Sequence, residues 1–184
     1  VERDRIKLTV ANSNDRARAE PVRSGVPVPQ GRLTDAEHVQ LLDEDDQEVP
    51  LWVQCTGRWP DGSVKWLLLD FEVDVPAESR RMLSLAYGNA AHRAVVPNRV
   101  SIERRGTILT VDTDAARVVF DGLHGDRFQI FRAGAETPAA SVEGLTLEAV
   151  DGRRWQSSLC EDTDVVIEEA TPFRATVRLR GRCS

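Results

Sequence analysis

The chain has 184 residues, 41% of them hydrophobic and 29% charged, with a formal net charge of -6. This length can bury a real core in one large or two small domains. No apolar run approaches the ~18 residues of a membrane helix, and the cations, nearly all arginine, are not clustered as phosphate binding requires, so neither a membrane nor a nucleic acid is expected as partner.

The chain opens on Val1-Glu2-Arg3-Asp4-Arg5, without an initiator Met or an apolar signal region, which reads as a processed or cut end. Ile6, Leu8 and Val10 then alternate with Lys7 and Thr9 as a first strand, broken by Asn12-Ser13-Asn14-Asp15. The stretch from Glu20 to Gly31 carries prolines that suit only edge or extended segments. Thr34, with Glu37 three positions on, has the form of a capping box and predicts one helical turn over residues 34–39. Strand pattern resumes from Val39 to Leu41 and from Val49 to Cys55. Between them lies Asp43-Glu44-Asp45-Asp46; calcium favours such oxygen ligands, but the glycine and distant glutamate of a calcium loop are missing, so a solvated hairpin tip is expected.

The densest signal is Arg58-Trp59-Pro60-Asp61-Gly62-Ser63-Val64-Lys65-Trp66, ahead of Leu67-Leu68-Leu69-Asp70-Phe71. Asp61-Gly62 suits a two-residue hairpin loop with positive φ at both positions. Leu67, Leu69, Phe71, Val73 and Val75 alternate on one face, while Trp66 and Leu68 point the other way, so this strand is expected to be buried on both sides with Trp66 in the core. Lys65, one of two lysines, sits oddly between Val64 and Trp66. Met82 to Tyr87 is a further strand, closed by Gly88.

Composition changes at Asn89-Ala90-Ala91-His92-Arg93-Ala94, the expected boundary between a first β domain, residues 1–90, and a second, residues 91–184. Beyond it, short strand patterns around Val100, Val111, Phe120, Ile130 and Leu145 recur at the spacing of a sandwich, with Asp121-Gly122 and Asp151-Gly152 as hairpin turns. Val165–Ala170 and Phe173–Leu179 form a last strand pair, and the chain stops soon after it, as a piece of something longer would. The fold class is all-β: a small barrel, then a truncated sandwich.

Chemistry is sparse. Cys55, Cys160 and Cys183 form no zinc pattern; Cys55 reads as a buried thiol, and Cys160 and Cys183 are a candidate disulfide if the protein is exported. His38, His92 and His124 have no partners at ligand spacing, so no metal site is expected. Ser63 lacks a nucleophile elbow, and there is neither a phosphate-cradling loop nor a dinucleotide fingerprint, so no cofactor is expected either. A hydrolase pairing Asp61 with another carboxylate is the weakest option, because the turn already explains Asp61. Trp59, beside the turn, and Trp155 are the candidates for stacking on sugar rings, with Trp59 expected to be the more exposed.

Pro21-Val22-Arg23-Ser24-Gly25-Val26-Pro27-Val28-Pro29-Gln30-Gly31, then Val49-Pro50 and Trp59-Pro60-Asp61-Gly62-Ser63-Val64-Lys65-Trp66, resemble the N-terminal module of the exo-rhamnogalacturonan lyases and their bacterial relatives. Residues 165–181 resemble a strand pair of the central sandwich in that family. The resemblance implies a RIFT-type barrel, a central β-sandwich and a C-terminal α/α toroid, in an extracytoplasmic protein that cleaves an acidic polysaccharide by β-elimination. It places the catalytic constellation mainly in the toroid, so no catalytic residue carries over, and Tyr87 receives no role. Two functions stay open: the non-catalytic front of such an enzyme, partnered with its own C-terminal catalytic domain, or an autonomous carbohydrate-binding module using Trp59 and Trp155.

Overall fold

A computed structural model describes residues 4–88, 93–122, 127–144, 146–156 and 161–182. His92, His124, Cys160, Cys183 and most of the composition change at residues 89–94 lie outside these. The described residues are β-strands and turns with no helix, as the all-β expectation requires. The chain divides into two compact units, Val1–Pro97 and Asn98–Ser184.

In the first unit, β1 (Asp4–Asn12), β3 (Val39–Leu42), β4 (Glu48–Val49) and β7 (Ser79–Tyr87) form a four-stranded sheet in the order β1-β7-β3-β4. β2 (Arg18–Pro27), β5 (Leu51–Arg58) and β6 (Val64–Val75) form a three-stranded sheet in the order β2-β6-β5. Every pairing is antiparallel. The two inner faces share one core, which includes Val26, Leu41, Leu51, Leu67, Leu69, Phe71, Leu83 and Leu85. Each such fully buried side chain contributes about 1.5–3 kcal/mol relative to exposure. Ile6, Leu8 and Val10 pack on that core from β1, following the alternation in the sequence. Pro21 and Pro27 sit on β2, an edge strand, where a missing N–H breaks no ladder.

The helical turn expected at residues 34–39 does not form. Instead the Asp35 carboxylate accepts the Glu37 N–H at 2.9 Å and the Asp35 carbonyl accepts the His38 N–H at 3.2 Å, making a turn. The local aspartate bond competes with helix, and burial of Leu33 and Val39 at 1% and 0% exposure fixes both ends.

In the second unit, β8 (Val100–Arg105), β9 (Ile108–Thr113), β10 (Ala116–Asp121), β11 (Arg127–Arg132) and β12 (Ala140–Glu143) form a five-stranded antiparallel meander. β15 (Glu161–Thr171) and β16 (Arg174–Arg182) form a long hairpin, and Val165, Ile167, Val177 and Leu179 from it pack with Leu109, Val111 and Phe120 of the meander. The result is two layers of sheet with one apolar interior. β13 (Thr146–Glu148) and β14 (Arg154–Gln156) make a separate short hairpin. Asp121-Gly122 is not a two-residue turn: Gly122 donates its N–H to the Thr107 carbonyl at 2.8 Å and prolongs the β9–β10 pairing. Only glycine fits there, since a Cβ would lie 2.1 Å from that oxygen.

Candidate functional site

The β5–β6 hairpin carries the residues with the most distinctive sequence. Trp59 donates its N–H to the Ser63 carbonyl at 2.8 Å, and Gly62 donates to the Trp59 carbonyl at 2.9 Å. Gly62 has φ 84°, whereas Asp61 is not in the left-handed region. The loop is therefore Pro60-Asp61-Gly62, three residues long, rather than the expected two. The fixed φ of Pro60 suits the first central position of a type I turn, Asp61 takes the second, and Gly62 supplies the left-handed residue that returns the chain to the strand.

Asp61 is committed to this turn. Its Oδ1 accepts the Ser63 hydroxyl at 2.6 Å and the Ser63 N–H at 3.0 Å. The Ser63 hydroxyl bond, then the Ser63 N–H and a bond from Gln30, hold the Asp61 carboxyl below its ordinary range. Buried Ser63 in turn accepts the Gly31 N–H at 2.9 Å, tying the hairpin tip to the segment after β2. A general acid needs the opposite shift, toward the neutral form.

The tryptophans are placed differently from expectation. Trp59 is half-buried; its Nε1 donates to the Val28 carbonyl at 3.0 Å, and the Lys65 ammonium sits 4.6 Å from its ring centroid. This explains the odd lysine: Lys65 covers one face of the indole. Trp66, expected in the core, is the exposed one at 43%. Strand alternation puts it on the outer face of the three-stranded sheet, in register with Pro27 and Gly57, which offer little to cover it. Cys55, expected to be buried, is half-buried with its thiol bonded to the Gly57 carbonyl. Trp155 lies in the second unit, half-buried opposite Leu147, with the Arg153 guanidinium 5.5 Å from its ring centroid. Leu147 beside it is 67% exposed.

One buried polar pair was not anticipated. Asp70 lies on the outward side of β6 yet has no exposed surface, and Arg23 on β2 grips it with Nε to Oδ1 at 3.0 Å and Nη2 to Oδ2 at 2.5 Å. The signal was a single aspartate inside Leu67-Leu68-Leu69-Asp70-Phe71, opposite an arginine that only the β2–β6 register reveals. Tyr87 is also buried; loss of solvent, and then the Asp4 charge, push its hydroxyl pKa upward, while Arg32 pulls it down. Among the described residues no group of three or more His, Cys, Asp or Glu is arranged to hold a metal. The acidic run Asp43–Asp46 forms the tip between β3 and β4: Asp43 Oδ1 accepts the N–H groups of Asp45 and Gln47 at 2.9 and 2.8 Å.

Residues 5–82, which span the two antiparallel sheets of the first unit, match the family model of the PcRGLX-like N-terminal RIFT barrel domain. This segment is a RIFT barrel domain of that family. The match runs from β1 into β7, and it takes in the Pro60-Asp61-Gly62 turn and the Arg23–Asp70 pair. No curated protein matches the chain. Within the RIFT barrel, Asp61, Ser63, Trp59 and Lys65 are thus occupied in building the hairpin and holding its tip, and Asp70 is neutralised by Arg23.

Proposed function

We propose that this chain is the non-catalytic front of a glycan-degrading enzyme resembling the exo-rhamnogalacturonan lyases. It would brace a C-terminal α/α-toroid catalytic domain, or shape one side of its cleft, in a protein working outside the cytoplasm on an acidic polysaccharide. The observation that carries this reading is the match of residues 5–82 to the RIFT barrel domain. It is supported by the state of two acids in that barrel: Asp61 is held by the Ser63 hydroxyl and Asp70 by the Arg23 guanidinium, so both serve the fold. β-Elimination creates a carbon–carbon double bond conjugated to a carboxylate, which absorbs in the ultraviolet. The folded chain incubated with rhamnogalacturonan is expected to generate no such absorbance; steady generation of it would sink the reading.

The second reading, an autonomous carbohydrate-binding module, draws on Trp155, whose ring stands beside the exposed Leu147. Calorimetric titration with acidic and neutral glycans tests it. Binding that disappears in Trp155→Ala or Trp59→Ala would favour the module; absence of binding by the folded chain would favour the bracing role.

A further inference from the structure

The three-stranded sheet turns Trp66, Leu68 and Asp70 of β6 away from the core, since Leu67, Leu69 and Phe71 point into it. What flanks them is unusual for a sheet face in solvent. Trp66 lies between Pro27 and Gly57, and Leu68 between Gly25 and Gln54. The glycine opposite Trp66 comes from a break in the ladder: the β5 register slips between Cys55 and Gly57, so Thr56 is passed over. A Cβ on Gly25 would meet open space, and one on Gly57 would meet only the Trp66 side chain, 3.5 Å away. Glycine inside a strand weakens it and marks a place that something approaches closely. Here two of them strip the indole of neighbouring side chains.

The size and charge of this patch restrict what can cover it. Among the described residues, Trp66 is the one large apolar side chain exposed on this sheet; at 43% its open area is on the order of 100 Å². A stable protein contact takes about 800 Å² from each partner, so the patch suits a single flat ring and not a protein surface. It also carries no spare charge. Arg23 holds Asp70, Arg58 donates to the Thr34 and Gly62 carbonyls at 3.0 and 2.8 Å, and Lys65 covers Trp59. The Gln54 side chain is exposed, and its amide has no hydrogen-bond partner among the described residues. Gln54 and Trp66 are diagonal neighbours across the strand pair, a separation of roughly 7–8 Å that long side chains bridge.

We infer that the outer face of the three-stranded sheet binds one neutral pyranose ring, stacked on the Trp66 indole with its hydroxyls on the Gln54 amide. The ligand class rests on the glycan-degrading reading proposed above; the place rests on the geometry. The C–H face of a pyranose is apolar and matches the open face of the indole. A sugar hydroxyl both donates and accepts, as the free amide does. A uronate carboxylate needs a cation or several donors, and the cations of these strands are already committed, so a neutral sugar is favoured over an acidic one.

The test is calorimetric titration of the full chain with xylo-, manno- and galacto-oligosaccharides, and separately with oligogalacturonate. Trp66→Ala and Gln54→Ala are the variants, with unchanged thermal melting as the control for fold. Should Trp66→Ala melt early, Gln54→Ala, on an exposed side chain, decides the matter. The expected result is saturable binding of a neutral oligosaccharide, at least ten-fold weaker in Trp66→Ala, several-fold weaker in Gln54→Ala and unchanged in Trp155→Ala. Binding retained by both variants, tighter binding of oligogalacturonate, or no saturation by any neutral oligosaccharide would each overturn the inference. So would sedimentation showing a dimer that Trp66→Ala dissociates, because a second copy would then cover the indole. None of those outcomes touches the bracing role, which falls only if the chain itself cleaves glycan.

Discussion

Single residues carry much of the barrel's specification. Gly62 sits at φ 84° with open space where a Cβ would be, so backbone strain alone sets the cost of replacing it. Gly62→Ala should lose about 1–2 kcal/mol in urea unfolding. Gly25→Ala is the control: Gly25 lies in β2, has no positive φ, and also has open space, so the change should be neutral or slightly stabilising. Equal losses at the two positions would refute the turn geometry. The Arg23–Asp70 pair makes a second expectation. Arg23→Met leaves a carboxylate buried opposite an apolar chain and should cost about 3 kcal/mol, most of which Asp70→Leu added in the same chain should restore. If the single variant unfolds at the wild-type urea concentration, the pair is not structural. Tyr87 gives a pH expectation. Its pKa is raised in the folded chain, so the folded state holds that proton more tightly than the unfolded one. The stability linked to it is full below the ordinary tyrosine value of about 10 and is lost as pH rises through the folded value. Urea midpoints measured upward from pH 9 should therefore fall faster in wild type than in Tyr87→Phe.

At the scale of elements, one turn recurs. Asp43 to Gln47, Trp59 to Ser63 and Ala149 to Arg153 share the same two backbone bonds across a three-residue loop. The left-handed position holds Asp46 at φ 57°, Gly62 at 84° and Gly152 at 85°. Asp46 is the one non-glycine of the three, and aspartate tolerates this region better than most residues. Asp46→Gly removes residual strain but also the exposed Arg5 ion pair at 2.8 Å; two effects of opposite sign, each below about 1 kcal/mol, should leave stability within about 0.5 kcal/mol of wild type. Asp46→Val should lose more than 1 kcal/mol, since a β-branched residue is a poor fit at positive φ. Matching midpoints for the two variants would contradict the shared geometry. The hairpins at Asp61-Gly62 and Asp151-Gly152 were legible in the sequence because Asp-Gly between strand patterns is a local signal, and the one at Asp43–Gln47 because an acidic run interrupts two strand patterns. The loop length was not, because it depended on how Pro60 and Asp61 divided the type I positions between them.

At the scale of the whole chain, periodicity revealed strands but not partners. β1 pairs with β7 and β2 with β6, across most of the first unit, and no local pattern encodes which distant strand closes a sheet. That is why Trp66 read as core: its neighbours Leu67 and Leu69 are buried, but only the sheet order shows that β6 turns its other side outward. It is also why the Arg23–Asp70 pair went unseen and why Trp59, tied to Val28 and Lys65, is less open than Trp66. The RIFT barrel was recognisable from its turn and proline motifs, which sit where backbone geometry restricts residue choice most. The proposed function is that this β structure supports glycan cleavage without performing it. The direct measurement is ultraviolet absorbance of the folded chain incubated with rhamnogalacturonan, with a known lyase as positive control. A flat trace from folded chain is the outcome we expect; a rising trace that scales with chain concentration would contradict the account.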